Sequence, residues 1–118
     1  MTQYKIYHNP RCSKSRQTLS LLEQAGIEPE IVLYLDSPPS PEELKDILGK
    51  LNINARELLR KGEQAYKDLN LADDSLTDDQ LISAMCDQPK LIERPIVIKG
   101  QSAVLGRPPE NALALVAN

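Results

Sequence analysis

The strand-like runs of this chain lie near its two ends, and the stretch between them has the spacing of helices. Four runs rich in Ile, Val, Leu and Tyr are the predicted strands: Tyr4–His8, Ile31–Leu35, Pro95–Lys99 and Ser102–Gly106. Between the first two, the run Arg16–Ala25 repeats Leu at helical spacing and stops at Gly26. This order predicts a β–α–β unit with a right-handed crossover, whose second strand is buried in a parallel sheet.

The middle of the chain carries the start signals of several helices. Ser40 with Glu43, and Thr77 with Gln80, have the spacing of capping boxes. The pattern of residues 54–71 predicts short helices joined at Gly62. The last two strand-like runs are predicted to form a hairpin, which a final helix follows. The whole order predicts an α/β, thioredoxin-like (glutaredoxin-like) fold: a mixed four-stranded sheet with a helical insertion at about residues 41–90, in a single domain of residues 1–118.

Composition excludes several classes of protein. Of the 118 residues, 41% are hydrophobic and 26% are charged, which is typical of a globular domain. The net charge is −3, and the only aromatic residues apart from the single His are four Tyr. The sequence therefore shows neither the excess of basic residues nor the set of stacking aromatics that is typical of a nucleic-acid-binding protein. Because the apolar runs are short and charged residues interrupt the N-terminal stretch, we expect a cytoplasmic protein that contacts no membrane.

One cysteine stands where a helix is about to begin, in the stretch HNPRCSKSR. A helix N-terminus and nearby cations stabilise a thiolate, and backbone N–H groups, serine hydroxyls and basic side chains together bind oxyanions. Cys12 is therefore a candidate nucleophile beside an anion site. Ser15 stands where a Cys-x-x-Cys redox motif needs its second cysteine, and Arg16 follows Cys12 too closely for the Cys-x-x-x-x-x-Arg loop of a cysteine phosphatase.

The other cysteine, Cys86, is too far from Cys12 in the sequence to form a metal-binding knuckle with it, and we predict no metal. A standing disulfide is not expected in a reducing cytosol. Cys86 could resolve a disulfide on Cys12 during a reaction. Its position on an apolar helix face with Ile82 favours a small buried hydrophobe instead.

Six stretches together resemble one known family, the glutaredoxin-linked arsenate reductases and their uncharacterised relatives. In chain order they are YHNPRCSKSR, LYLDSPPS, ARELLRK, SLTDDQLI, LIERPIV and LGRPPE. The resemblance implies that Cys12 attacks arsenate to give a thiol-bound ester, and that three arginines hold the oxyanion: Arg60, Arg94 and Arg107. It also implies that glutathione is a co-substrate, that glutaredoxin resolves a Cys12–glutathione disulfide, and that no cofactor is tightly bound.

Other residues have supporting roles in this interpretation. We expect His8 either to give a hydrogen bond or a positive charge to the thiolate, or to be a surface residue at the end of a strand. Ser15 and Arg16 are expected to help bind the anion. The resemblance implies a cis peptide bond before Pro95, which would fix the backbone that presents Arg94.

Two other functions are compatible with the same fold. A thiol-transfer protein would use Cys12 without reducing arsenate, and a transcription regulator that binds RNA polymerase would not be an enzyme. Such regulators often carry Cys-x-x-Cys and need not keep the three arginines, so the sequence favours the enzyme. We expect a monomer whose partners are arsenate or a similar oxyanion, glutathione and glutaredoxin.

Overall fold

Four strands form one mixed sheet in the computed structural model, which describes residues 3–116. The strands are β1 (Tyr4–Tyr7), β2 (Glu30–Val32), β3 (Ile96–Lys99) and β4 (Ser102–Leu105). Their order in the sheet is β2-β1-β3-β4; β1 is parallel to β2, and the other two pairs are antiparallel. The predicted β–α–β unit, the hairpin and the mixed four-stranded sheet are therefore confirmed.

Helices fill the stretches that the sequence assigns to them. They are α1 (Ser13–Gln24), α2 (Pro41–Leu51), α3 (Ala55–Leu58), α4 (Gln64–Asp68), α5 (Asp78–Asp87) and α6 (Leu113–Val116). Short 3₁₀ turns, Pro89–Leu91 and Pro109–Ala112, precede β3 and α6. Gly62 lies between α3 and α4, as predicted for that segment.

The chain forms two units. The first consists of residues 3–37 and 94–116 and contains the sheet with α1 and α6, and the second is Pro38–Glu93, which contains α2 to α5. In the first unit, side chains from the central strands pack against α1 and the C-terminal turns. Its buried core cluster is Tyr4, Ile6, Leu22, Val97, Ala112 and Leu115. This packing fixes the junction between β1 and α1, where Cys12 lies.

The second strand of the sheet is shorter and more exposed than predicted. β2 ends at Val32, and Ile31 and Leu33 are 47% and 41% exposed. The strand lies at the sheet edge, and the chain then turns, with the Leu33 carbonyl accepting hydrogen bonds from the N–H groups of Asp36 and Ser37. The prediction of a buried strand through residue 35 is wrong, because an apolar run alone does not distinguish a central strand from an edge strand.

The first helix begins earlier than predicted. α1 starts at Ser13 instead of Arg16, and its first turn has no apolar periodicity by which the start could be recognised. Hydrogen bonds and the full burial of Ser15 stabilise this turn. The predicted stop is confirmed, since Gly26 has a φ of +83°, a left-handed conformation that glycine adopts without strain.

Reciprocal caps begin three helices of the second unit, α2, α3 and α5. The two predicted capping boxes, at Ser40 and Thr77, are present, and a third joins Asn54 to Glu57. Helix α5 packs against α2 and α3. Most of the apolar side chains that the periodicity of these helices assigns to the core are buried: Leu44, Ile47, Leu48, Leu81, Ile82 and Met85. Leu51 and Cys86, which the same periodicity assigns to the core, are half-buried. Among residues 3–116, no helix is long and apolar enough to cross a lipid bilayer.

Candidate active site

Cys12 lies between β1 and α1, as the N-cap residue of α1. Its backbone is extended, with φ −96° and ψ 122°, and its carbonyl accepts the Arg16 N–H at 3.0 Å. Within the described chain the thiol makes no capping hydrogen bond, and the side chain is 9% exposed. The first turn of α1 has the sequence Ser-Lys-Ser-Arg, which includes the basic residues Lys14 and Arg16 and no acidic residue. The sulfur therefore stands at the positive end of the helix, where the first N–H groups lack intrahelical partners.

Beside this loop, His8 and Ser15 form a buried polar pair. His8 Nδ1 lies 2.6 Å from Ser15 Oγ, which also accepts the Asn9 N–H at 3.0 Å. Burial lowers the pKa of His8, and the charge of Arg16 lowers it further against a smaller opposing effect of Glu23. The neutral imidazole is therefore favoured, and its Nδ1 can accept a hydrogen bond from the Ser15 hydroxyl. His8 is thus a buried hydrogen-bonding residue and not a surface residue at the end of a strand.

Further hydrogen bonds shape the loop that carries Cys12. Arg16 Nη1 donates to the Pro10 carbonyl at 2.8 Å. The Cys12 N–H donates to the Asn9 carbonyl and the Arg11 N–H to the Asn9 side-chain oxygen, both at 3.0 Å. Arg16 therefore has a structural contact within the loop, besides the role in anion binding that the sequence predicts for it.

Arg94 and Arg107 lie at the same end of the β3–β4 hairpin, one before β3 and the other after β4. Each precedes a cis proline: the bond before Pro95 was implied by the family resemblance, and the bond before Pro108 is an additional one. The Gly106 N–H donates to the Pro95 carbonyl at 2.9 Å. Arg94 is half-buried, with its Nε atom buried, whereas Arg107 is exposed. The structure thus brings these two predicted residues to one end of the hairpin.

Gly106 also packs closely against α1. A Cβ atom at this position would lie 2.6 Å from Thr18 Oγ1 and 2.8 Å from Pro95 Cγ, which is closer than real Cβ atoms approach other atoms. Thr18 Oγ1 is within hydrogen-bond distance of the carbonyls of Lys14, at 2.8 Å, and Gly106, at 3.3 Å. The helix that begins beside Cys12 and the loop that carries Arg107 are therefore packed together through Thr18 and Gly106.

Arg60 lies in the second unit, shortly after α3. Its Nη1 donates to Glu63 Oε1 at 2.8 Å, and its Nε lies 3.5 Å from Glu93 Oε1. The Arg60 side chain is 24% exposed. The third predicted arginine is thus held by two carboxylates of its own unit.

Cys86 has the environment of a structural residue. Both cysteines are free thiols, and Cys86 is half-buried on α5. Burial raises its pKa, and the negative charges of Asp87 and Glu43 raise it further. The thiol is therefore protonated at neutral pH and is a weak nucleophile. This favours the small hydrophobe over the resolving thiol.

Sequence reasoning missed four residues around the predicted site. Glu63 and Glu93 contact Arg60, and Gly106 contacts Pro95. Thr18 packs against Gly106. Glu63 follows Arg60 at a spacing that pairs opposite charges on helices, and Glu93 directly precedes Arg94 in LIERPIV. The glycine of LGRPPE is a signal for close backbone packing at Gly106. Thr18 has no comparable signal, because its contact depends on how α1 packs on the hairpin.

Known proteins share this sequence and architecture over nearly their full length. The chain is 58% identical over 115 residues to YfgD, an uncharacterised protein of Escherichia coli K12, with 97% of each chain covered. It is 50% identical over 117 residues to an arsenate reductase of Neisseria meningitidis, covering 98% of this chain and 100% of that one. The solved structure of an arsenate reductase from Vibrio cholerae matches with a TM-score of 0.93 at 52% identity, covering 96% of this chain and 97% of the other.

These matches confirm the thioredoxin-like fold and the family resemblance found in the sequence. The sequence model of the ArsC family matches residues 7–115, a span that includes every predicted site residue. Because the family pattern covers nearly the whole chain and relatives retain about half of its residues, the chain belongs to the ArsC family.

Proposed function

We propose that this protein is an arsenate reductase that uses Cys12 as its nucleophile, glutathione as co-substrate and glutaredoxin as its regenerating partner. The observation that carries the proposal is the position of Cys12 at the N-terminus of α1, in a chain that the ArsC family pattern spans. The arsenate reductases among its relatives support arsenate as the substrate. A reducing cytoplasm, which supplies glutathione, is the compartment in which we expect the enzyme to work.

The start of α1 suits both the nucleophile and its substrate. The N-terminal N–H groups and the helix dipole stabilise a Cys12 thiolate, and they attract an oxyanion to the same place. Lys14 and Arg16 add positive charge to the first turn. The His8–Ser15 pair and the bond from the Asn9 N–H position the backbone that carries Cys12.

Arginines are the residues suited to hold the tetrahedral anion. Each guanidinium offers paired N–H donors in a fixed plane, which match two oxygens of an oxyanion better than a lysine ammonium does. Arg94 and Arg107 are proposed as two ligands because the hairpin ends and the packing of Gly106 hold them on one end of the sheet. Arg60 is proposed as the third from the family pattern in LLRK.

The proposed reaction transfers two electrons to arsenic. The Cys12 thiolate attacks arsenate, an S–As bond forms and an oxygen leaves as water. Glutathione displaces a second oxygen as water and forms a second S–As bond. Both S–As bonds then break: the two sulfurs join in a Cys12–glutathione disulfide, and one electron pair stays on arsenic, which leaves as arsenite. A glutaredoxin thiolate attacks the glutathione sulfur and releases the Cys12 thiolate.

Arsenate-dependent oxidation of NADPH, coupled through glutathione, glutaredoxin and glutathione reductase, tests the proposal. We expect wild-type turnover, background rates for Cys12→Ser, and kcat/KM lowered by about ten- to a hundredfold for Arg94→Ala or Arg107→Ala, as for a lost hydrogen bond to a charged group. Arg94→Lys should recover only part of the loss, because it keeps the charge without the paired donors. Lys61→Ala, which removes an exposed cation, is the control and should match wild type.

Two outcomes would contradict the proposal. Arsenate reduction by Cys12→Ser at the wild-type rate would remove Cys12 from the chemistry. A wild-type protein that exchanges glutathione at Cys12 but does not reduce arsenate would be a thiol-transfer protein, and the arginine variants would then have little effect on the exchange rate.

A further inference from the structure

Arg60 is held from two sides by carboxylates. Glu63 Oε1 accepts Nη1 at 2.8 Å, and Glu93 Oε1 lies 3.5 Å from Nε. Arg60, Glu63 and Glu93 are only 24%, 29% and 26% exposed, so water screens these charges less than it screens a surface pair. These three side chains carry one positive and two negative charges.

Backbone hydrogen bonds fix this arrangement. The segment after α3 pairs with the segment before β3: the Arg60 N–H donates to the Leu91 carbonyl at 2.8 Å, and the Glu93 N–H donates to the Leu58 carbonyl at 2.9 Å. The Glu63 N–H donates to the Arg60 carbonyl at 3.3 Å, which brings the Glu63 side chain back over Arg60. Both carboxylates are thus placed by the main chain, within one unit.

The two carboxylates lie at different nitrogens of the guanidinium. A guanidinium has two edges with paired donors, Nη1 with Nη2 and Nε with Nη2. Nη1, which contacts Glu63, belongs to the first edge, and Nε, which lies 3.5 Å from Glu93, belongs to the second. An oxyanion that binds either edge through paired donors uses Nη1 or Nε, so it competes with the carboxylate that lies there.

We propose that Glu63 and Glu93 are a carboxylate latch: resting counter-ions of Arg60 that set the affinity of this arginine for oxyanions and are displaced when an oxyanion binds. The inference rests on the proposed role of Arg60 as an oxyanion ligand. Glu63 and Glu93 are positioning residues, since they act through Arg60. Glu63 makes the shorter contact, so its removal has the larger effect.

The latch is tested by the reaction of Arg60 with phenylglyoxal, followed by peptide mass spectrometry with and without arsenate. Glu63→Gln should speed modification of Arg60 by about two- to fivefold, the range expected for a partly exposed ion pair, and lower the arsenate concentration that half-protects Arg60 by a similar factor. Glu93→Gln should change both in the same direction by less. Asp46→Asn, which breaks the Lys50–Asp46 pair of α2, is the matched control and should change neither.

The kinetics of turnover give a second readout, which would not change if Glu63 only stabilised the fold. In the coupled assay Glu63→Gln should lower KM for arsenate by about two- to fivefold and leave kcat unchanged. In an Arg60→Ala background the same substitution should have no effect on KM, because the residue through which it acts is gone.

Failure of the latch and failure of the proposed function are distinguishable. The protection experiment requires only that arsenate binds, whether or not it reacts. It therefore reports on the latch even if wild type shows no turnover. Turnover in wild type together with unchanged Arg60 modification and protection in Glu63→Gln would overturn the latch alone. A raised KM in Glu63→Gln would overturn it too, since the carboxylate would then be helping the anion to bind.

Discussion

At the scale of single residues, His8 makes stability depend on pH. Its folded pKa lies below the ordinary value near 6.5, so the unfolded chain binds a proton at a pH where the native protein does not. Stability is therefore fully present above about pH 6.5 and is lost as pH falls below it, by at most about 1.4 kcal/mol per pH unit for one proton.

Urea unfolding at several pH values checks this prediction. Because the chain has a single histidine, His8→Gln should remove the dependence in this window. The variant should also be less stable than wild type at neutral pH, because the contact with Ser15 Oγ is altered. An unfolding free energy that falls equally steeply in wild type and variant would show that His8 is not the responsible group.

The second cysteine gives a prediction at the same scale. Cys86 is half-buried in α5 with a raised pKa, so Cys86→Ala should keep arsenate reduction within about twofold of wild type, as for a residue outside the chemistry. In wild type at neutral pH, iodoacetamide should modify Cys12 before Cys86. Loss of turnover in folded Cys86→Ala, with an accumulated Cys12–glutathione disulfide, would instead make Cys86 a resolving thiol.

At the scale of secondary-structure elements, the contact of Gly106 with α1 and Pro95 is the most sensitive to substitution. Gly106→Ala adds a Cβ only 2.6 Å from Thr18 Oγ1. Overpacking of this kind lowers the free energy of unfolding by about 1–3 kcal/mol. Gly49 is a matched control, because nothing lies within 4 Å of its added Cβ and it lies within α2. Gly49→Ala should stabilise by up to about 1 kcal/mol.

The two alanine variants are compared by urea unfolding and by the coupled assay. Gly106→Ala should also raise KM for arsenate, because the next residue is Arg107, whereas Gly49→Ala should leave KM unchanged. If Gly106→Ala and wild type had equal free energies of unfolding, α1 and the hairpin end could move apart at little cost in free energy. Their packing would then not hold Arg107 in place.

Elements also show where sequence reasoning reaches its limit. The capping boxes at Ser40 and Thr77 were predictable because both partners are three residues apart. The extent of β2 was not, because the exposure of Ile31 depends on which strand occupies the sheet edge. The early start of α1 was hidden as well, since polar contacts through Ser15 replace an apolar stripe in its first turn.

At the scale of the whole molecule, the order of elements along the chain was enough to predict the sheet and its fold. Cys12 and the arginines were predictable as candidates from their motifs, and the structure adds what surrounds them. The contacts of Arg60 with Glu63 and Glu93 depend on the pairing of two segments that lie far apart in the sequence. No local sequence pattern indicates such a pairing of segments. The sequence therefore indicated Arg60 as a candidate but did not indicate its counter-ions.

Mass spectrometry of a single turnover shows whether Cys12 reacts with glutathione as arsenate is reduced. Wild-type protein is incubated with arsenate and glutathione in the absence of glutaredoxin, and both the modified cysteine and the arsenite released are measured. We expect one glutathione on Cys12, formed only when arsenate is present, and one arsenite for each disulfide. Arsenite formed without a disulfide on Cys12, or glutathione attached to Cys12 at the same rate without arsenate, would contradict this expectation.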